Sequence, residues 1–217
     1  MDWSSWVAFL PLAATALIAV TTLVLLISSD WRLSLLALAL QYVGVFSLVL
    51  QFWPFEMAAV KLVAGWMAAA LLGMAIANLP LPKTEAENDR GRLAWLGVEK
   101  LGMNVPAGRI VSTLAAVLVW LVVFTLVPQL TNFLPELDRL PAVASLLLIG
   151  MGLLQLGFTS RPFPCIVALL TLLSGAELLY AAVESSTLVA GLLAGVTLAL
   201  ALVGAYLVQA PTMEEEA

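Results

Sequence analysis

Histidine is absent from this sequence, and Cys165 is its only cysteine. Haem, zinc, copper and iron–sulfur centres are held largely by histidine and by clustered cysteines, so the chain is not expected to hold such a centre by itself. A disulfide within the chain is excluded because it needs two cysteines. We therefore interpret Cys165 as a small apolar residue near the start of a helix, and we expect no cofactor and no metal ion.

Charged residues are also scarce. They make up 11% of the chain and hydrophobic residues make up 63%, whereas a soluble domain has about 25% and about 45–50% respectively. A water-soluble fold cannot hide so much apolar surface, so membrane lipid is the expected solvent for most of the chain. The net charge of −5 and the lack of a basic patch exclude a nucleic-acid partner. Glycine-rich phosphate-binding motifs are missing as well.

Long apolar runs are what the sequence does contain. Crossing about 30 Å of hydrocarbon takes about 20 apolar residues in a helix. Backbone groups in lipid must be paired within the segment, so each run predicts a helix. The predicted spans are Trp6–Ile27, Leu33–Phe52, Met57–Leu79, Ile110–Leu130, Pro141–Phe158, Phe163–Val183 and Thr187–Val208. The predicted fold class is therefore all-α, a polytopic membrane helix bundle of about seven transmembrane helices.

Lysine and arginine are distributed unevenly over the predicted loops. One side of the membrane would hold Arg32, Lys83, Arg90, Arg92, Lys100, Arg109 and Arg161. The other side would hold only Arg139. Because cytoplasmic loops carry the excess of lysine and arginine, we expect a multi-pass protein of the plasma (inner) membrane. Its N-terminus would lie outside and its acidic C-terminus inside.

A long polar connection divides the chain into two halves that look alike, either through a duplication or through shared membrane composition. Residues 1–82 form a predicted N-terminal three-helix unit, and residues 140–217 a C-terminal three-helix unit with an acidic tail. Between them lie a cytoplasmic loop (83–109), in which an interfacial helix or a solvated segment is expected, and a fourth helix with an outer loop (110–139). Both halves would run in the same direction, as in a parallel duplication. Gly191-x-x-x-Gly195 in the last helix predicts a face for close helix packing.

Three ionisable residues fall within or beside the predicted helices, where a charge costs about 2.5–3.5 kcal/mol at the bilayer centre. Glu177 lies deep in the sixth helix and is expected to be protonated or paired with a cation. A carboxyl group between these two states is suited to proton relay, and the alternative is a structural hydrogen bond to another helix. Lys61 is expected to reach the outer interface, Glu56 or a carboxylate on a partner subunit, and it is the nearest candidate to balance Glu177. Glu56 is interpreted mainly as a helix-start residue. Smaller polar side chains that can link helices or line a water path are Gln41, Tyr42, Thr113, Gln155, Thr171 and Thr197.

The second predicted helix begins near the run Trp31-Arg32-Leu33-Ser34 and contains Gln41, the third contains Lys61, and a long loop precedes the fourth span. Together these features resemble the hydrogenase 4 component E family. The stretch Leu148–Tyr206 resembles the K subunit of respiratory complex I and the C subunit of Mrp antiporters. In both of these, the middle helix of a three-helix unit carries a glutamate, and Glu177 is the matching residue here. The K subunit has a second glutamate in its last helix, and this chain has no acid between Thr187 and Val208.

The resemblance implies a membrane subunit of a redox-driven or antiporting ion pump that is not catalytic alone. Its intramembrane carboxylates would belong to a hydrated polar axis, with the metal centres in peripheral subunits. The implied partners are membrane lipid and other membrane subunits, including antiporter-like ones. The proton path would involve Glu177, Lys61 and Glu56. A self-contained small-molecule transporter and a purely structural membrane protein remain as alternatives.

Overall fold

The computed structural model of the chain describes residues 3–28, 30–78 and 107–215, with side chains in 9–28, 30–78 and 111–210. The predicted interfacial helix and most of the predicted 83–109 loop lie outside these residues. All elements within them are helices, and the predicted count of seven is confirmed. The helices are α1 (Trp3–Ile27), α2 (Trp31–Val49), α3 (Phe55–Ala77), α4 (Ala107–Phe133), α5 (Arg139–Phe158), α6 (Pro162–Val183) and α7 (Thr187–Glu215). Each has a segment long and apolar enough to cross a membrane, so the chain is a multi-pass membrane protein.

Most helix bounds differ from the predicted spans by one to three residues, and α7 continues well beyond Val208 to Glu215. α4 begins at Ala107, inside the predicted 83–109 loop. α2 ends at Val49 rather than Phe52, because the chain turns ahead of Pro54. The amide groups of Phe52 and Trp53 both bond to Val49 O, at 3.0 and 2.9 Å. α4 continues beyond Leu130 to Phe133 although it contains Pro128, a residue that transmembrane helices tolerate. The end of α2 matters because the turn that follows it positions Trp53.

Six of the helices form two stacked layers. The first layer is α1, α2 and α3, and the second is α5, α6 and α7, with each helix packed beside the next in its layer. Across the layers, α1 packs on α5, α2 on α6 and α3 on α7. α4 packs at one edge, against α5 and α1. The first, second and third helices of one layer therefore face the first, second and third helices of the other.

Hydrogen bonds between the layers show their register. Gln41 Nε2 donates to Thr171 Oγ1 at 3.4 Å and Gln155 Nε2 donates to Leu25 O at 3.2 Å. In both contacts the second-layer residue lies 130 positions after its partner. Facing helices thus run in the same direction and at the same depth.

The two halves of the bundle differ in polarity. The half formed by α1, α2, α5 and α6 has an apolar centre that includes Ile18, Val45 and Leu148. A Cβ on Gly175 would lie 2.8 Å from Ser145 O, so this glycine permits α5 and α6 to approach closely. The half formed by α2, α3, α6 and α7 has polar side chains at its centre, and we call it the polar half.

The bundle has two ends, which we name after a residue on each. The Trp53 face carries the connections 50–54, 134–138 and 184–186. The Arg161 face carries the connections 28–30 and 159–161, and α4 begins there. By the distribution of lysine and arginine, the Trp53 face is the predicted outer side.

Candidate functional site: a buried ion pair

Lys61 and Glu177 form a salt bridge at the centre of the polar half. Lys61 comes from α3 and Glu177 from α6, which are diagonal neighbours, so the two side chains meet across the middle of four helices. The two residues are 5% and 4% exposed. The structure therefore brings together the two ionisable residues that the sequence placed inside helices. Among the described residues, the carboxylate that pairs with Lys61 is Glu177 rather than Glu56, and Lys61 is buried instead of reaching the outer interface.

The other two helices of the polar half each add one side chain to the pair. Thr197 Oγ1 on α7 donates to Glu177 Oε1 at 3.4 Å and to Leu193 O at 3.0 Å. The ring of Tyr42 on α2 lies 5.0 Å from Lys61 Nζ, within the range of a cation–π interaction. We call Tyr42, Lys61, Glu177 and Thr197 the ion-pair cluster. Every helix of the polar half contributes one of its members.

Gly65 explains how the tyrosine reaches this position. Gly65 lies about one turn after Lys61 on α3, and a Cβ there would overlap the Tyr42 ring. The missing side chain therefore makes room for the ring beside α3. The Tyr42 hydroxyl faces Ser174 on α6 but makes no well-formed hydrogen bond.

The ion-pair cluster has unused hydrogen-bonding capacity. Apart from each other, Lys61 Nζ and Glu177 Oε2 have no partner among the described residues, and Tyr42 Oη and Gln41 Oε1 are likewise buried without one. An unsatisfied buried polar group costs about 1–3 kcal/mol. The cluster therefore has buried polar atoms that a bound water molecule could satisfy.

A small cavity lies between the ion pair and the Trp53 face. Its volume is about 10 Å³, and its lining residues are Val49, Trp53, Met57, Lys61, Glu177, Ala190 and Leu193. This volume is close to the minimum that holds one water molecule. With the ammonium and the carboxylate in its wall, the cavity offers such a water both a donor and an acceptor.

Trp53 lines this cavity on the side of the Trp53 face. Its indole Nε1–H donates to Glu184 O at 3.0 Å, and its ring meets the Tyr180 ring edge-on at 6.3 Å. The side chain is buried. Local sequence patterns do not predict this position for Trp53, because its partners lie far away in the chain, at the end of α6.

Further polar groups lie between the ion pair and the Arg161 face. Gln41 directly precedes Tyr42 in α2 and is fully buried. Its side-chain amide donates a hydrogen bond to Thr171. A larger cavity of about 400 Å³ opens near the Arg161 face, and Ser34, Gln155 and Arg161 are among its lining residues. Polar side chains thus continue from the ion pair toward the Arg161 face, whereas toward the Trp53 face the cavity lining is apolar apart from the Trp53 indole.

The remaining candidates lie outside this arrangement. Glu56 is exposed in the first turn of α3. Cys165 is a partly buried free cysteine in the first turn of α6. In the described part of the chain, no group of three His, Cys, Asp or Glu side chains comes together.

Comparison with protein-family models, with curated proteins and with solved structures finds no match to this chain. The geometry of the ion-pair cluster therefore carries the functional argument, and the resemblance drawn from the sequence enters it as a hypothesis.

Proposed function

We propose that this chain is a non-catalytic membrane subunit of an ion-translocating complex of the complex I, Mrp or energy-converting hydrogenase type. In this proposal the Lys61–Glu177 pair is one element of the proton path. The observation that carries the proposal is the burial of this pair at the centre of four helices. Ionisable residues inside membrane bundles are costly, and they mark proton relays and ion pathways.

The chemistry of the pair supports proton movement. Transfer of one proton from the Lys61 ammonium to the Glu177 carboxylate converts two buried charges into a neutral amine and a neutral carboxylic acid. In a low-dielectric interior, desolvation offsets much of the attraction between the charges. The charged and neutral forms of a buried pair therefore differ less in free energy than they would in water, and a proton can be held on either group.

The size of the adjacent cavity favours protons over larger solutes. A cavity of about 10 Å³ has room for about one water molecule, whereas small-molecule sites occupy about 300–1,000 Å³. This observation weighs against a self-contained transporter whose substrate binds at the ion pair.

The partners in this proposal are other membrane subunits, including antiporter-like ones, in the plasma (inner) membrane. The Arg161 face would be cytoplasmic and the Trp53 face external. Partners are invoked because Glu177 is the single buried carboxylate of the proposed proton path. The apolar part of α7 contains no acid, so water or a neighbouring subunit must complete the path.

Glu177 variants test the proposal in the complex that co-purifies with this chain in mild detergent. Glu177→Gln should abolish or strongly reduce proton translocation, because an amide cannot titrate. Glu177→Asp should retain part of it, because the titrating group is kept but shortened. Glu184→Gln is the matched control, since its exposed side chain lies two turns further along the chain, at the end of α6, and translocation should be unchanged.

Normal proton translocation in a fully assembled Glu177→Gln complex would overturn the proposal. Recovery of the chain as a lone monomer that binds a small solute would also contradict it. A structural role would instead appear as lost assembly in Glu177→Ala with Glu177→Gln tolerated in both assembly and translocation.

A further inference from the structure

The facing helices α3 and α7 bury opposite sides. Met67 on α3 is 49% exposed, whereas Thr197, 130 positions later on α7, is fully buried. The other helix pairs differ from this one, because equivalent positions such as Ile18 on α1 and Leu148 on α5 are both fully buried. Outward-facing positions of α3 therefore have inward-facing equivalents on α7.

The reverse holds on the other side of α3 and α7. Leu72 on α3 is fully buried against the second layer, and its equivalent Leu202 on α7 is 56% exposed. Gly65 is covered by the Tyr42 ring, whereas its equivalent Gly195 has no atom of the described chain within 4 Å of the Cβ position. Gly191, the equivalent of Lys61, is open in the same way.

These exchanges define how α3 and α7 are related. A two-fold rotation would bury the same positions of both helices, because its interface uses one patch twice. Here the facing helices occur in the same order and run in the same direction, and the buried faces of α3 and α7 alternate. α7 is therefore related to α3 by a sideways shift. A shift joins two different surfaces and leaves a copy of each uncovered.

We propose that a second copy of this chain docks on the outer face of α7, so that its own α3 occupies the place next in the stack. The interface would resemble the existing α3–α7 contact. Gly191 and Gly195 on α7 of one copy would pack against the outer face of α3 in the other copy, which includes Val63 and Met67. The two glycines permit close helix approach, and bulky side chains on the opposing helix fit the space they leave. Neither set contains a charged residue, so the contact buries no unpaired charge.

Disulfide cross-linking in membranes tests this arrangement, in a background where Cys165→Ser removes the native thiol. Gly195→Cys and Met67→Cys lie on opposite outer faces of one chain, so a bond between them joins two copies. Co-expression of the two single variants should give a cross-linked dimer and nothing larger. A chain carrying both substitutions should give a ladder of dimers, trimers and larger species, because a shifted interface does not close.

The control replaces Met67→Cys with Phe124→Cys, a lipid-exposed position on α4. Random collisions would cross-link both pairs equally, and that result would overturn the proposal. Absence of the Gly195–Met67 product would overturn it as well. Efficient cross-linking of Gly195→Cys to itself would reveal a two-fold interface and contradict the shifted stack. The proposal does not depend on the proposed proton path, because it concerns different residues and a different measurement.

Discussion

At the scale of single residues, the ion-pair cluster depends on Gly65, which has no side chain, as well as on its own polar side chains. Gly65 allows the Tyr42 ring to lie beside α3, and the ring contacts the Lys61 ammonium. Glu177 in turn receives a hydrogen bond from Thr197. A change at any of these positions should alter how the charges are held.

Substitution of Gly65 tests this packing. Gly65→Ala places a Cβ into the Tyr42 ring, and overpacking of this kind costs about 1–3 kcal/mol. We expect a lower thermal unfolding temperature for the purified protein in detergent. Gly157→Ala is the control, because the space around Gly157 is open and the unfolding temperature should hardly change. Equal stability of the two variants would show that the ring does not lie where the structure has it.

The sequence revealed the charged members of the site and could not reveal their pairing. Lys61 and Glu177 stand out because each is a charge among apolar residues. Their helices are diagonal neighbours, and that relation depends on how the layers stack, which local sequence patterns do not encode. Thr197 was recognisable only as one of several helix-linking polar residues, since its role follows from facing Glu177.

At the scale of elements, the turn after α2 closes the polar half. The presence of each helix was predictable, because the length of an apolar run determines whether it can span the membrane. The residue at which α2 ends was not predictable in this way. The turn carries Trp53 under the α6–α7 connection, where its indole bonds to Glu184 O. Trp53 thereby lines the small cavity beside the ion pair on the side of the Trp53 face.

Removal of the indole should open this cavity. In a Cys165→Ser background, Val49→Cys places a thiol in the cavity wall at a position that is 1% exposed. We expect it to react slowly with a small polar thiol reagent, and to react much faster when Trp53→Ala is added. The matched control is Leu178→Cys, a fully buried position outside the cavity lining, which should stay unreactive in both backgrounds. An unchanged rate at Val49→Cys would mean that Trp53 does not limit access.

At the scale of the whole molecule, the two stacked layers account for the division into a polar and an apolar half. The fold class and helix number followed from the sequence, whereas the stacking did not, because similar apolar helices can pack in many orders. The layers place the ion-pair cluster at one interface only, since the positions equivalent to Lys61 and Glu177 are Gly191 and Ser47. The bundle therefore has one buried charged site among its described residues.

The predicted orientation can be measured with single cysteines in the Cys165→Ser background. Asn132→Cys, near the Trp53 face, should react with a membrane-impermeant thiol reagent in intact cells. Asn88→Cys, in the predicted cytoplasmic loop, should react only after the membrane is permeabilised. The physical basis is the excess of lysine and arginine in loops on the cytoplasmic side. The opposite labelling pattern would contradict the orientation.

The most direct test of the central claim neutralises both charges together in the assembled complex. Breaking a buried pair from one side costs about 3–5 kcal/mol, whereas replacing both partners is often close to neutral. The double variant Lys61→Met, Glu177→Gln should therefore assemble in normal amounts. If the pair is part of the proton path, the assembled complex should have lost proton translocation. Full translocation by the assembled double variant would show that the pair does not carry protons.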